Sequence, residues 1–589
     1  MPQKDENEFL PYLIIVGAFC FLLSQTWLKW GNPIIDTGRE LWLPEELLKG
    51  KILYKDIVSF YGFLPAYFMT GLYKIFGSSI NTLVYAGIGI TLVLSFTLFK
   101  ITRFFMDQVF STLVVINFLF VFAFGRYTTS GIFNFILPYG FASTLFIALT
   151  ALALYFFLKF IFYGNEKNVI AWSSFLALAF LCRPETALTI WPAFALTLFL
   201  STGNLQKNSY AKPILYAVSP IIAASLCYGL FFITTGTFAG FKEMFTKCIM
   251  TNTVNPLAKQ WSGLDNITYS LSQIFSSFFL QVSVITGLAA ICRIVNLSRA
   301  DKPATKAIIP ILAAFLFFMI IKQASLYGLQ YRCLTLILFL GSFAYLAQSL
   351  ANSKSSRNVG LLTLFSLSFL IIFRIFLAPT PYQYGFFLLT IPLICYYIFF
   401  ADILKTILEK HLKINEGSLA TATACFFILM ITPYWEHSAG HYKNHNKLIT
   451  TAKGQIYCDN TTQTNNFWKT VNYLKTKTPQ NSTLAVFPEG IGINFFTGLS
   501  YPLQPTSLLP MDIKLFGENN LLDKIKTAKI DYIVIMTRDT SESGATAFGV
   551  DYAKKIQKWV DANYVIIKQF GAKPFTSDTA GAIILKKKS

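Results

Sequence analysis

Apolar residues in this chain gather in long blocks separated by short polar punctuation. The blocks lie near residues 10–28, 80–100, 108–124, 139–163, 169–182, 186–201, 213–234, 267–292, 307–323, 331–350, 359–378, 384–403 and 418–433. A helix crossing a bilayer needs roughly 20 mostly apolar residues, so the pattern predicts about thirteen transmembrane helices. The two blocks flanking Arg183 are short enough to be one broken span. Polar sequence runs on in two places, 29–79 and 434–589. Within the second, NNFWKTVNYLKTK, NNLLDKIKTAK and DYAKKIQKWVDA have helical periodicity, and TLAVF, DYIVIMT and AIILKKK read as strands. The expected architecture is an α-helical polytopic membrane domain, residues 1–433, followed by a soluble α/β domain, residues 434–589.

Composition agrees with that division. Of the 589 residues 54% are hydrophobic and 13% charged, about half the charged share of a soluble protein. The formal charge of +20 would suggest nucleic acid in a soluble chain. Here Lys and Arg sit in short loops between apolar blocks: Lys100 and Arg103; Lys207 and Lys212; Arg293, Arg299, Lys302 and Lys306; Lys354 and Arg357; Lys405, Lys410 and Lys413. All five clusters share one side if the N-terminus is cytoplasmic, as positive charge on the inner face requires. An odd number of spans then places 434–589 outside, together with the first loop 29–79 and the loop near 235–266. No nucleic-acid partner is expected. The start MPQKDENEF lacks a signal-peptide pattern, so the first block is expected to stay as an anchor. The nine cysteines are scattered and include no CxxC pair, so neither a disulfide framework nor a zinc site is expected.

The first outer loop is the richest in chemistry. Thr37-Gly38-Arg39-Glu40 has capping-box spacing, with Thr37 as cap and Glu40 reaching back. Pro44 suits the first turn of a second helix. Two short surface helices are therefore expected, with Trp27, Trp30, Trp42 and Tyr54 as headgroup anchors. On that reading Asp36 precedes the cap and its carboxylate is free for chemistry; the alternative is that Asp36 itself caps.

An acid soon after the first span, then Pro44-x-x-Leu47-x-x-Gly50, Leu53-Tyr54-x-Asp56, Tyr61-Gly62-x-Leu64-Pro65 and a closing Phe76-Gly77 resembles the GT-C superfamily of polyprenyl-phosphate-sugar transferases, among them protein O-mannosyltransferases and lipid A aminoarabinose transferases. LCRPETAL and FPEGIGINFFTG also resemble segments of bacterial members. The resemblance implies a bacterial inner-membrane glycosyltransferase. It would move sugar from a polyprenyl-phosphate donor to a lipid, glycan or protein acceptor at the periplasmic face, with Asp36 as the catalytic carboxylate. Several relatives carry a further acid in the second outer loop, but GRYTTSGIFNFILPYG has none. No protein metal ligand or certain cofactor is therefore assigned, although a divalent metal remains compatible. Asp56, Glu185, Glu243 and Asp265 are the secondary acid candidates.

A leaving phosphate needs cations, and the incoming hydroxyl needs a base. Arg39, Lys55, Arg126, Arg183, Lys322 and Arg332 are the candidate phosphate-binding residues. Arg183 and Glu185 also read as a structural ion pair, and Lys322 and Arg332 as side chains snorkelling to the interface. His437, His441 and His445 recur every four residues, a spacing that can bind metal, but Gly440 and Asn444 favour an interfacial turn. Pro381, Tyr382 and Tyr384 read as an aromatic belt or a sugar-lining turn. The competing functions are a multi-span transporter or flippase, a polysaccharide polymerase or ligase, and a non-catalytic envelope assembly protein.

Overall fold

The computed structural model describes residues 8–202, 211–297, 303–352, 355–414, 416–576 and 579–588. Of the residues used above for orientation, Lys207, Arg299, Lys302 and Lys354 lie outside them, as does the Lys306 side chain. Each predicted apolar block falls on a helical segment, from Phe9–Thr26 through to Glu416–Asn444. Among the described residues seven helices are long and apolar enough to cross a membrane, with shorter apolar helices such as Lys167–Cys182 and Ser356–Ile371 beside them. Their outward faces carry Leu226, Leu230 and Ile233 at 64%, 66% and 82% exposure, which suits hydrocarbon and would be unfavourable in water. The chain is a helical, multi-spanning membrane protein with a small C-terminal α/β part. The break at Arg183 is real: one helix ends at Cys182, Arg183 is extended, and Pro184 opens the next, the helix start that proline prefers.

The loop 29–79 differs from the expected capping pattern. Its helix is continuous from Asp36 to Leu48 and contains Pro44, and no side chain caps its start. Thr37 Oγ1 instead accepts the Asn32 N–H at 2.8 Å, and Glu40 accepts the Phe141 N–H at 3.0 Å. Glu40 thus caps a different helix, Phe141–Tyr163, which begins after Gly140 and has no cap of its own. A second loop helix, Phe63–Phe76, follows. Trp30, Trp42 and Tyr54 are buried in protein and only Trp27 is exposed, so three of the four expected headgroup anchors are core residues. Trp42, for example, meets Tyr501 edge-on at 5.8 Å.

The last long helix runs to Asn444. A hairpin follows, β1 (Lys447–Thr451) and β2 (Gly454–Cys458), and then a mixed sheet of β3 (Leu484–Phe487), β4 (Tyr532–Met536), β5 (Tyr564–Gly571) and β6 (Gly581–Lys587). The sheet order is β3-β4-β6-β5, with β3 and β4 parallel and the other neighbours antiparallel. Helix Thr462–Lys477 packs against β5 and β6 with its start capped by Thr461.

The tail is clamped to the membrane part at several points. Ile80 N–H donates to Lys453 O at the hairpin turn, Lys453 Nζ meets Glu45 at 2.7 Å, and Tyr457 N–H donates to Leu28 O. Lys51 Nζ reaches Tyr501 O, Gln504 Nε2 reaches Lys55 O, and Lys247 Nζ reaches Leu515 O. The tightest approach is glycine on glycine. A Cβ on Gly492 would lie 2.1 Å from Pro33 O, and one on Gly38 would lie 2.9 Å from Gly492 N. Only glycine lets these two backbones meet, and this contact seats helix Gly492–Thr497 on the start of Asp36–Leu48.

Candidate active site

The first turn of Asp36–Leu48 carries three charged groups. Arg39 Nη2 lies 3.0 Å from Asp36 Oδ1 and donates to Tyr139 O at 2.9 Å, while its Nε is 3.7 Å from Glu40. Burial opposes the Arg39 charge, but Asp36 and Glu40 outweigh it and hold its pKa above the usual arginine value. Burial raises the Glu40 carboxyl, opposed by Arg39 and by the Phe141 N–H. Asp36 keeps 15% of its side-chain surface open. With the helix uncapped, no capping bond occupies its carboxylate.

A tyrosine-rich wall continues the site. Tyr139 OH donates to Tyr384 O and contacts Ser143 Oγ, which in turn accepts from Arg183 Nη1 at 2.9 Å. Arg183 lies over the Tyr61 and Phe387 rings and pairs with Glu185 at 2.9 Å. Tyr384 packs on Tyr139 and Trp261, so it belongs to this wall and not to a lipid belt.

The tail brings further charged residues to the same region. Glu489, two residues after β3, pairs with Arg538 Nε at 2.9 Å, and Arg538 lies 3.6 Å from Glu542. Burial pushes the Glu489 carboxyl up to about 7; the Asp36 charge adds to this and Arg538 opposes it. The same acids and Arg538 act on Tyr384, whose hydroxyl burial holds well above its usual value. Sequence reasoning assigned no role to Glu489 or Arg538. The only signal was FPEGIGINFFTG, which contains Glu489 and the docking Gly492.

Of the candidates read from the sequence, Asp36, Arg39, Arg183 and Glu185 come together around Tyr61 and Tyr139. The others do not join them. Lys55 is exposed, and Asp56 accepts the Ile52 N–H at 2.8 Å to close a turn. Glu243 is exposed and 3.7 Å from Lys247; Asp265 is exposed. Lys322 pairs with Glu436 at 2.7 Å. Arg332 lies near Tyr269, Tyr382 and Tyr434, with no side-chain hydrogen bond or ion pair among the described residues. Arg126 is buried in a separate cluster with His445. The histidines do not form the expected interfacial turn, since the helix continues through Gly440 to Asn444. Among the described residues no group of three or more His, Cys, Asp or Glu is placed to hold a metal ion.

No protein-family model matches the chain, and no curated protein matches it. Among solved structures it is similar to the oligosaccharyltransferase AglB from Archaeoglobus fulgidus in complex with an inhibitory peptide and a dolichol-phosphate, with a TM-score of 0.47, 11% identity, and coverage of 90% of this chain and 69% of that one. It is also similar to ArnT from Cupriavidus metallidurans bound to undecaprenyl phosphate, with a TM-score of 0.48, 11% identity, and coverage of 98% of each chain.

Proposed function

We propose that this protein is a membrane glycosyltransferase that moves a sugar from a polyprenyl-phosphate donor to a hydroxyl acceptor at the periplasmic face of a bacterial inner membrane. The observation that carries the reading is the partly open Asp36 carboxylate, 3.0 Å from Arg39 at the outer end of the helical body, under a tail that brings Glu489 and Arg538 to the same place. The acceptor oxygen attacks the anomeric carbon of the sugar as the bond from that carbon to the phosphate oxygen breaks. Polyprenyl phosphate leaves with the electron pair, and the hydroxyl proton passes to Asp36. Arg39 and Arg183 face the leaving phosphate, where a guanidinium fork suits its oxygens. The tyrosine wall of Tyr61, Tyr139 and Tyr384 supplies stacking faces for a sugar ring. Residues 1–433 carry the donor site, and 434–589 cover it from the periplasm.

Purified protein incubated with a bacterial polyprenyl-phosphate-sugar pool and envelope acceptors should release polyprenyl phosphate in step with glycosylated product, followed by mass spectrometry. Solute movement in liposomes without any such release would favour a transporter instead.

A further inference from the structure

Arg126 follows the third apolar block and is 1% exposed, yet no carboxylate among the described residues lies within ion-pair distance of it. Its Nη1 donates to Lys29 O, and its Nη2 donates to Thr129 O at 2.8 Å and reaches His445 Nε2 at 2.6 Å. The guanidinium also lies over the Tyr442 ring, the Arg126 main-chain N–H donates to Ser438 Oγ, and Nε has no hydrogen-bond partner among the described residues. His445 Nδ1 faces His441 O at 3.3 Å, so Nδ1 carries the proton and Nε2 accepts from Arg126. Burial and the Arg126 charge hold the His445 pKa down to about 4, which keeps the ring neutral near neutral pH.

These partners come from four segments: the root of the first outer loop at Lys29, the second outer loop at Thr129, the end of the last long helix at Ser438 and Tyr442, and the first turn of the tail at His445. Asp36 hangs from the first segment by only seven residues. Glu489 belongs to the tail that begins at the last. Gly31 N–H also donates to Gly131 O, and a Cβ on Gly131 would sit 2.2 Å from Arg126 Nη1, so the loop backbone is moulded around the guanidinium.

We propose that Arg126 and His445 form the joint that sets how the tail seats Glu489 over Asp36, Arg126 being a positioning residue and not a phosphate ligand. This rests on the Asp36 and Glu489 site described above. The guanidinium has a fixed planar fork that a lysine cannot reproduce. A neutral imidazole lets His445 accept without placing a second cation against Arg126. Loosening the joint would leave both parts folded and their alignment lost.

Backbone hydrogen exchange on the full-length protein in detergent tests this directly, using Arg126→Gln, Arg126→Lys, His445→Ala and His445→Gln. Arg126→Gln and His445→Ala should speed exchange in residues 29–38 and 488–496 by about tenfold or more, with β4 and β6 still protected. His445→Gln keeps an acceptor and should restore most of the protection, whereas Arg126→Lys should not. Transfer should fall through kcat with donor KM little changed. Unchanged exchange in 29–38 and 488–496 would overturn the proposal, as would equal loss of protection in Gln and Ala at His445. If an Arg126 variant does not fold, the two His445 variants decide. The exchange result does not depend on the reaction, so it stands apart from any failure of the transferase reading.

Discussion

Replacing Asp36 with Asn should lower turnover by about 10²–10⁴-fold, the usual contribution of a general base, with donor binding little changed. The Asn side chain keeps an acceptor for Arg39, and Arg39 stays tied to Tyr139 O, so the geometry survives while the negative charge is lost. The structure also separates this effect from helix capping. No side chain caps Asp36–Leu48, so the local stabilisation Asp36 offers is its charge in the first turn, about 0.3–1 kcal/mol, together with its ion pair to Arg39. Single-turnover transfer with purified protein, beside a thermal unfolding curve, reads both quantities. An Asn variant transferring at near wild-type rate would remove Asp36 from the role of base and turn attention to Glu489 and Glu40.

The second large effect concerns pH and the tail. Glu489 is raised from the ordinary glutamate range to about 7, so the folded state binds its proton more tightly than the unfolded chain does. The stabilisation is therefore fully present below the ordinary glutamate range and is lost as pH rises through about 7. A shift of that size corresponds to about 3 kcal/mol. Apparent unfolding temperature should fall between pH 5 and pH 8 in the wild type. Glu489→Gln stays neutral and still accepts from Arg538, so its curve should fall less than the wild type's over the same window; Asp512, which burial pushes up to about 6, keeps the same residual slope in both proteins. Parallel slopes in the two proteins would mean that Glu489 does not titrate in this range.

The helical body was legible in the sequence because a spanning helix announces itself by length and apolarity alone. Three strands and three helices of the tail were equally plain, since β3, β4 and β6 are short apolar runs bounded by polar turns. β5 was missed because YVIIKQFG follows the helix ending at Asn563 with no intervening turn. The capping box failed for a different reason. Thr37 and Glu40 have the right spacing, but tertiary partners at Asn32 and Phe141 claim their side chains, and spacing cannot reveal such competition. Asp36 and Arg39 were legible as a pair because they lie three residues apart in sequence. Glu489 and Arg538 were not, because the docking of the tail, with Gly492 against Pro33 and Gly38, brings them there. Arg126 was read as a phosphate ligand, and its setting among carbonyl oxygens and an imidazole leaves no trace in charge pattern.

The strand order β3-β4-β6-β5 also bears on biogenesis. β6, latest of the six described strands to leave the ribosome, is inserted between β4 and β5, so the sheet cannot close until residues 581–587 have been synthesised. Glu489 is synthesised well before that, on the order of ten seconds earlier at ordinary elongation rates. The helical body is by then already in the bilayer with its charged loop uncovered. The nascent chain would pass through a stage with Asp36 and Arg39 in place and the sheet beside them unfinished.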